Sequence, residues 1–192
     1  AIRWAVLRYI PHYAADVRIF LKMNSLTKRR LTVGMLIFAV IILLDQLTKW
    51  LVISNIDRGR IIIVLKGILR LTYAQNTGAS FSLLSGQHWL FLILTPAALV
   101  FIGYILFTGR IRHPLGVYPL IMIAAGAVGN YIDRLVHGFV VDMIDFYFVN
   151  FAVFNIADSF ITIGCMLFVV YTLFYYSKDE PSGGKADGRE KN

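Results

Sequence analysis

The sequence predicts an α-helical membrane protein with four transmembrane helices and a small extracytoplasmic β platform. Three observations lead there. The 192 residues are 58% hydrophobic with a mean hydropathy of +0.68, well beyond what a soluble domain of this size carries. Four apolar runs are each long enough, at about 1.5 Å per residue, to cross a hydrocarbon core of roughly 30 Å. Between the first two runs, residues 55–86 switch to short β-branched and mixed-polarity patterns with no spanning stripe.

Residues 1–30 hold seven of the nineteen Lys and Arg residues (Arg3, Arg8, Arg18, Lys22, Lys28, Arg29 and Arg30) and read as a cytoplasmic N-terminal extension. Met23 opens MNSLTKRR, a short basic lead into apolar sequence, so residues 1–22 read as an extension or a start-site artefact. The first span candidate is Leu31 to Ile53. It is too long for the core of a cleaved signal peptide, and no A-x-A site follows it. Asp45 and Lys49 interrupt the span at a spacing of four, which puts both on one helix face where they can pair. One reading is a structural ion pair near the outer end, with Lys49 snorkelling to the interface; the other is a functional site.

In 55–86, IIIVL at 61–65 reads as a strand, bounded by charged residues and Gly67. The following ILRLTYAQNTGASFSLL completes a platform resting partly on the membrane. Asn76 to Gly78 reads as a turn, and Ser80 and Ser82 alternate with Phe81 and Leu83. The second span, Trp89 to Phe107, is uncharged and contains Pro96, a bend that neighbouring helices can tolerate. Arg110 and Arg112 lie in the short loop after it. The third span, Pro114 to Ile132, has small residues at 124–129 that allow close helix approach. Residues 137–154 read as an extracytoplasmic loop. The fourth span runs from about Asn155 to Tyr176 with Asp158 its only charge, and 177–192 reads as a disordered cytoplasmic tail. Residues 31–176 are thus expected to form one four-span membrane domain.

The net charge of +8 does not signal nucleic acid, because the basic residues flank apolar segments and form no aromatic-interleaved face. Their distribution follows membrane topology. Only Arg58, Arg60, Lys66 and Arg70 fall in the 55–86 connection, whereas the N-terminal segment, the second loop and the tail are rich in Lys and Arg. That asymmetry puts both termini in the cytoplasm. Cys165 is the single cysteine, so neither an intrachain disulfide nor a thiolate metal site can form.

The chemistry concentrates between Gly126 and Asp158, where Asp133, Asp142, Asp145 and Asp158 sit among apolar and aromatic residues with Arg134. An Asp at the centre of a membrane helix costs about 2.5–3.5 kcal/mol on insertion scales, so a compensating role is expected. Asp158 enters the fourth span about one turn from its outer end, and a folded-back connection can set Asp142 beside it. Two adjacent carboxylates cannot both ionise easily: one keeps its proton and the other activates water. Asp145 competes with Asp142 for this position. Asn130 with Asp133, and Asn155 with Asp158, are each three apart on a helix face, where an amide can orient a carboxylate. Arg134 reads as a structural partner of Asp133.

Other schemes fit less well. His12, His88, His113 and His137 are scattered, and no serine sits in a strained elbow, which argues against a Ser/His/Asp triad. No HExxH or His cluster supports metal hydrolysis, and neither metal nor organic cofactor is expected. Buried acids also occur in ion carriers, so spacing alone leaves open a small membrane carrier or channel subunit whose acids bind a proton or cation.

Taken together, DQLTK at 45–49, QNTGASFS at 75–82, GNYIDR at 129–134, GFVVDMIDF at 138–146 and FNIADS at 154–159 resemble the bacterial lipoprotein signal peptidase family, also called signal peptidase II. They occur in family order, and the four-span layout is similar too. The resemblance implies an intramembrane aspartic endopeptidase of the bacterial inner membrane. Its expected substrates are diacylglyceryl-modified prolipoproteins, cleaved just before the lipidated cysteine, and its expected inhibitor is globomycin. By motif it makes Asp142 and Asp158 the catalytic acids and gives Asp45, Lys49, Asn76, Gly78, Asn130, Asp133, Arg134 and Asn155 roles in shaping or lining the site. Membrane lipids are the remaining expected partners.

Overall fold

The computed structural model describes residues 25–78, 87–149 and 151–179. The expected tail beyond Asp179, the first 24 residues of the expected extension, and the Ser80 to Leu83 alternation lie outside the described residues. The elements are α1 (Ser25–Asn55), β1 (Ile61–Leu65), β2 (Leu69–Asn76), α2 (His88–Thr108), α3 (Pro114–His137), β3 (Val140–Asp145), α4 (Ile156–Phe174) and a single turn, α5 (Tyr176–Asp179). The four long helices are long and apolar enough to cross a membrane, so the protein is multi-pass.

Local chemistry sets the helix ends. Pro114 opens α3 behind His113, whose Nδ1 accepts from the Leu115 amide at 3.2 Å. Gly109 and Gly138 close α2 and α3 in left-handed backbone, with φ of 64° and 79°, where a side chain would be strained. Because α3 runs on to His137 instead of stopping at Ile132, Asp133 and Arg134 sit inside it.

Helix α3 is the central one, packed against α1, α2 and α4. Its Val117, Leu120, Ile121 and Ala124 join Ile102 of α2 and Tyr171 of α4 in a buried apolar cluster. The contact with α4 is close enough that a Cβ placed on Gly126 would lie 2.5 Å from the Ala157 backbone oxygen. Outward, α1, α2 and α4 expose large apolar side chains such as Leu43, Trp50, Val100 and Leu173, the surface expected to face lipid.

The three strands form one antiparallel sheet in the order β1-β2-β3. Val52 of α1 and Ile56, just past its end, pack against Val141 and Met143 of β3, which seats the sheet on one end of the bundle. At the other end Arg30 donates to the Arg112 carbonyl and His113 stacks on Tyr175, 4.6 Å between ring centroids. Both termini of the main helical bundle lie at this second end.

The 137–154 connection is thus not simply a loop. It contributes β3, which pairs with β2 from Arg70↔Asp145 to Asn76↔Val140. VVDMID hides its strand character because nearly every residue is buried. Burial on both sides erases the apolar–polar alternation that marks a half-exposed strand. A register shift between Leu71 and Ala74 of β2 faces the β3 segment next to Asp142. Irregularities of this kind re-aim side chains next to functional sites.

Candidate active site

Asp142 comes from β3 and Asp158 from the first turn of α4, and a set of amides joins them. Asn155 Nδ2 donates to Asp142 Oδ1 at 2.7 Å, and Asn76 Nδ2 donates to Asp142 Oδ2 at 3.0 Å. Asp158 Oδ1 accepts from Asn130 Nδ2 at 2.7 Å. Asn155 caps α4: its Oδ1 accepts from the Asp158 amide at 2.9 Å while Asp158 Oδ2 accepts from the Asn155 amide at 3.3 Å. This reciprocal capping box replaces the expected pairing along a helix face, since Asn155 precedes the helix. One residue therefore touches both acids.

The two carboxyls differ in setting. Asp142 is 2% exposed, whereas Asp158 is half-buried and lines a cavity of about 630 Å³. Burial pushes the Asp142 carboxyl up to about 7, and the neighbouring Asp158 charge adds to the rise; the Asn76 and Asn155 hydrogen bonds and the Lys49 charge oppose it. Near neutral pH the pair can hold one proton and one negative charge, the state that general acid/base hydrolysis requires.

Beneath the acids lies a buried ionic cluster. Lys49 Nζ contacts Asp45 Oδ2 at 2.8 Å, Asp133 Oδ2 at 3.0 Å and Asn130 Oδ1 at 3.0 Å. At 2% exposure Lys49 is enclosed by its partners, which excludes the one of the two readings in which it snorkels to the interface. Each acid of the cluster also holds a backbone. Asp45 Oδ1 accepts from the Ala157 amide at 2.9 Å, fixing the start of α4, and Asp133 Oδ2 accepts from the Val141 amide at 3.0 Å, fixing β3. The cluster thus sets the two elements that carry Asp142 and Asp158. It also fixes the amide of Asn130: Oδ1 accepts from Lys49 and from Asn155 Nδ2 at 3.1 Å, leaving Nδ2 to donate to Asp158.

One expectation changes. Asp133 takes Lys49 as its ionic partner, not Arg134. Arg134 instead donates to the Gly78 carbonyl at 3.2 Å, lies over the Phe91 ring at 4.5 Å from its centroid, and lines the cavity. Asp145, the competitor for the dyad, binds Arg70 Nε at 2.6 Å. Three residues from Asp142 on one strand, it lies on the opposite face.

Gly78 holds the Asn76–Gly78 turn, its amide donating to Asn76 Oδ1 at 2.9 Å. All ten sequence-predicted residues converge on this one end of the bundle. Gln46 was not singled out, although its Nε2 reaches Asp45 Oδ2 and the Gly129 carbonyl, both at 3.2 Å, and Asp133 Oδ1 at 3.1 Å. Its place beside Asp45 in DQLTK was the available signal. Among the described residues, no group of three or more His, Cys, Asp or Glu is arranged to hold a metal.

Comparison with known proteins adds a separate line of support. A family model described as "Signal peptidase (SPase) II" matches residues 37–174. A lipoprotein signal peptidase of Streptococcus pyogenes serotype M5 is 41% identical over 146 residues, covering 74% of this chain and 93% of the relative. The serotype M3 (strain SSI-1) protein of the same name is 40% identical over the same length. Among solved structures, a bacterial membrane enzyme determined in meso at 2.3 Å superposes with a TM-score of 0.72 at 31% identity, covering 84% of this chain and 94% of that one. A second, at 1.9 Å, gives a TM-score of 0.69 at 32% identity, covering 75% of this chain and 94% of that chain.

Proposed function

Because the chain belongs to the signal peptidase II family and is therefore a peptidase that processes prolipoprotein signal peptides, we propose that Asp142 and Asp158 are its catalytic acids. The observation that carries this assignment is Asn155, which hydrogen-bonds both carboxyls. Asp158, facing the cavity, acts as the base and takes a proton from water as the oxygen attacks the scissile carbonyl. Asp142, the more deeply buried, starts protonated and donates to the carbonyl oxygen. When the tetrahedral intermediate collapses, Asp158 passes its proton to the leaving nitrogen and Asp142 recovers its own. Both acids return to their starting states.

The substrate is read as a diacylglyceryl-modified precursor, cut just before the lipidated cysteine. An acid pair formed between a strand of the end sheet and the first turn of a spanning helix suits a bond held at the membrane surface while its acyl chains stay in lipid. The enzyme is placed in the bacterial inner membrane with both termini cytoplasmic, residues 31–176 as the catalytic unit and the site near the outer face, in line with the excess of Lys and Arg on the far side. Globomycin is proposed to occupy the cavity lined by Asn130, Arg134 and Asp158. Asp45, Lys49, Asp133 and Asn155 position the acids, and Asn76 and Gly78 shape the adjoining rim.

The experiment is cleavage of a purified diacylated precursor in proteoliposomes, with products identified by mass. The expected result is one cut before the modified cysteine, blocked by globomycin, unaffected by EDTA and absent with Asp158→Asn. Cleavage at another bond, or undiminished cleavage by that variant, overturns the assignment.

A further inference from the structure

The sheet carries a second polar cluster that the hydrolytic step does not use. Arg70 of β2 donates from Nε to Asp145 Oδ2 at 2.6 Å, and its guanidinium lies over the Tyr147 ring, 5.2 Å from the centroid. The Tyr147 hydroxyl accepts from the Gly67 amide in the β1–β2 turn and donates to the Leu65 carbonyl at 3.4 Å. Two side chains therefore tie the hairpin turn and β2 to the chain that leaves β3.

That departing chain forms one wall of the cavity. Phe146, Val149, Phe151 and Phe154 line it, together with Phe91 of α2 and Met166 of α4. The wall is also packed internally, with Phe146 5.6 Å and Phe151 5.7 Å from Phe154 between ring centroids. Its far end is pinned by the backbone, where Ile144 and Phe154 exchange hydrogen bonds of 2.8 and 3.0 Å. Its near end is held through Tyr147.

We propose that Arg70 and Tyr147 are positioning residues for substrate, acting through the aromatic wall they hold against the sheet. This inference rests on the peptidase reading above. The wall offers apolar surface and no group suited to proton transfer, which fits the apolar signal segment of a precursor. Apolar contacts remote from the reacting bond do not respond to the charge that develops there, so loosening the wall is expected to weaken binding and spare the chemical step. The acids are anchored separately, by Asn76, Asn130, Asn155 and the Lys49 cluster. Arg70 is partly exposed, so solvent moderates the effect.

The test is steady-state cleavage of a diacylated precursor in proteoliposomes by Arg70→Ala, Arg70→Lys and Tyr147→Phe, with Asp142→Asn alongside. The expected result is a KM raised about 5-fold by Arg70→Ala and by Tyr147→Phe with kcat held, and a KM near the parent value for Arg70→Lys, a split characteristic of lost uniform binding. A purely structural role would lower the amount of active enzyme, hence apparent kcat, and leave KM alone. Tyr147→Phe keeps the ring and removes only the hydroxyl, so it reads the inference even if Arg70→Ala fails to accumulate. Unchanged KM for Tyr147→Phe, or a loss confined to kcat, overturns the inference. Should Asp142→Asn cleave normally, it is the catalytic assignment that fails instead.

Discussion

At the residue scale the account turns on Asp142, whose carboxyl is pushed up to about 7 by burial and by Asp158. As the protonated partner, Asp142 supports catalysis only while it keeps its proton. Turnover is therefore predicted to fall as pH rises through about 7, a limb to be read from the pH dependence of kcat/KM. The same shift bears on stability. The folded pKa lies above the ordinary value of 3.8, so the stability this group contributes is fully present below pH 3.8 and lost as pH rises towards 7. Asp142→Asn removes that cost. It is predicted to melt at a higher temperature than the parent at pH 8, by an amount equivalent to a few kcal/mol at most, with the difference closing near pH 4. Thermal unfolding in detergent at both pH values checks this. That this region holds acids with a special role was legible because carboxylates are costly among apolar residues, whereas the choice of Asp142 over Asp145 rested on the resemblance to the family. The acids' partners were less legible: Lys49 and Asp133 are 84 positions apart in sequence and meet only through packing of α1 on α3, and Gln46 carried no charge to draw notice.

At the scale of elements, α1, α3, β3 and the start of α4 are held together by one buried ionic cluster. Replacing Lys49 by Met leaves Asp45 and Asp133 buried without their cation, a loss of about 3–5 kcal/mol for a broken buried pair. The expected outcome is a marked drop in melting temperature together with loss of cleavage, read by thermal shift and activity on the same preparation. Close packing offers a second check. A Cβ on Gly126 would meet the Ala157 backbone oxygen at 2.5 Å, and Ala157 is one residue from Asp158. Gly126→Ala should therefore destabilise by about 1–3 kcal/mol, as overpacking does, and slow cleavage. Helices were readable as long apolar runs with Pro and Gly at their ends. β3 was not, because a strand buried on both faces shows neither alternation nor a turn signal of its own, and its pairing with β2 is a long-range event.

At the scale of the molecule, the sheet sits at one end of the bundle and the described N- and C-terminal ends at the other, and the Lys and Arg distribution is the basis for proposing that the second end is cytoplasmic. With Cys165→Ser as background, Lys66→Cys on the hairpin is predicted to react with a membrane-impermeant thiol reagent added outside intact cells. Protection until the membrane is broken would place the sheet on the cytoplasmic side. The fold's central consequence is that Asp142, on a strand, and Asp158, at a helix start, meet through Asn155 while Asp145 is turned away to Arg70. The most direct measurement is the single-turnover rate of precursor cleavage by Asp142→Asn, Asp158→Asn, the double variant and Asp145→Asn, each shown to be folded in the membrane. The account predicts that each single dyad variant falls by at least about 100-fold, that the double falls little further because the acids act as a unit, and that Asp145→Asn stays within a few-fold of the parent at saturating substrate. Parent-like turnover by Asp142→Asn or Asp158→Asn, or abolition by Asp145→Asn alone, would contradict it.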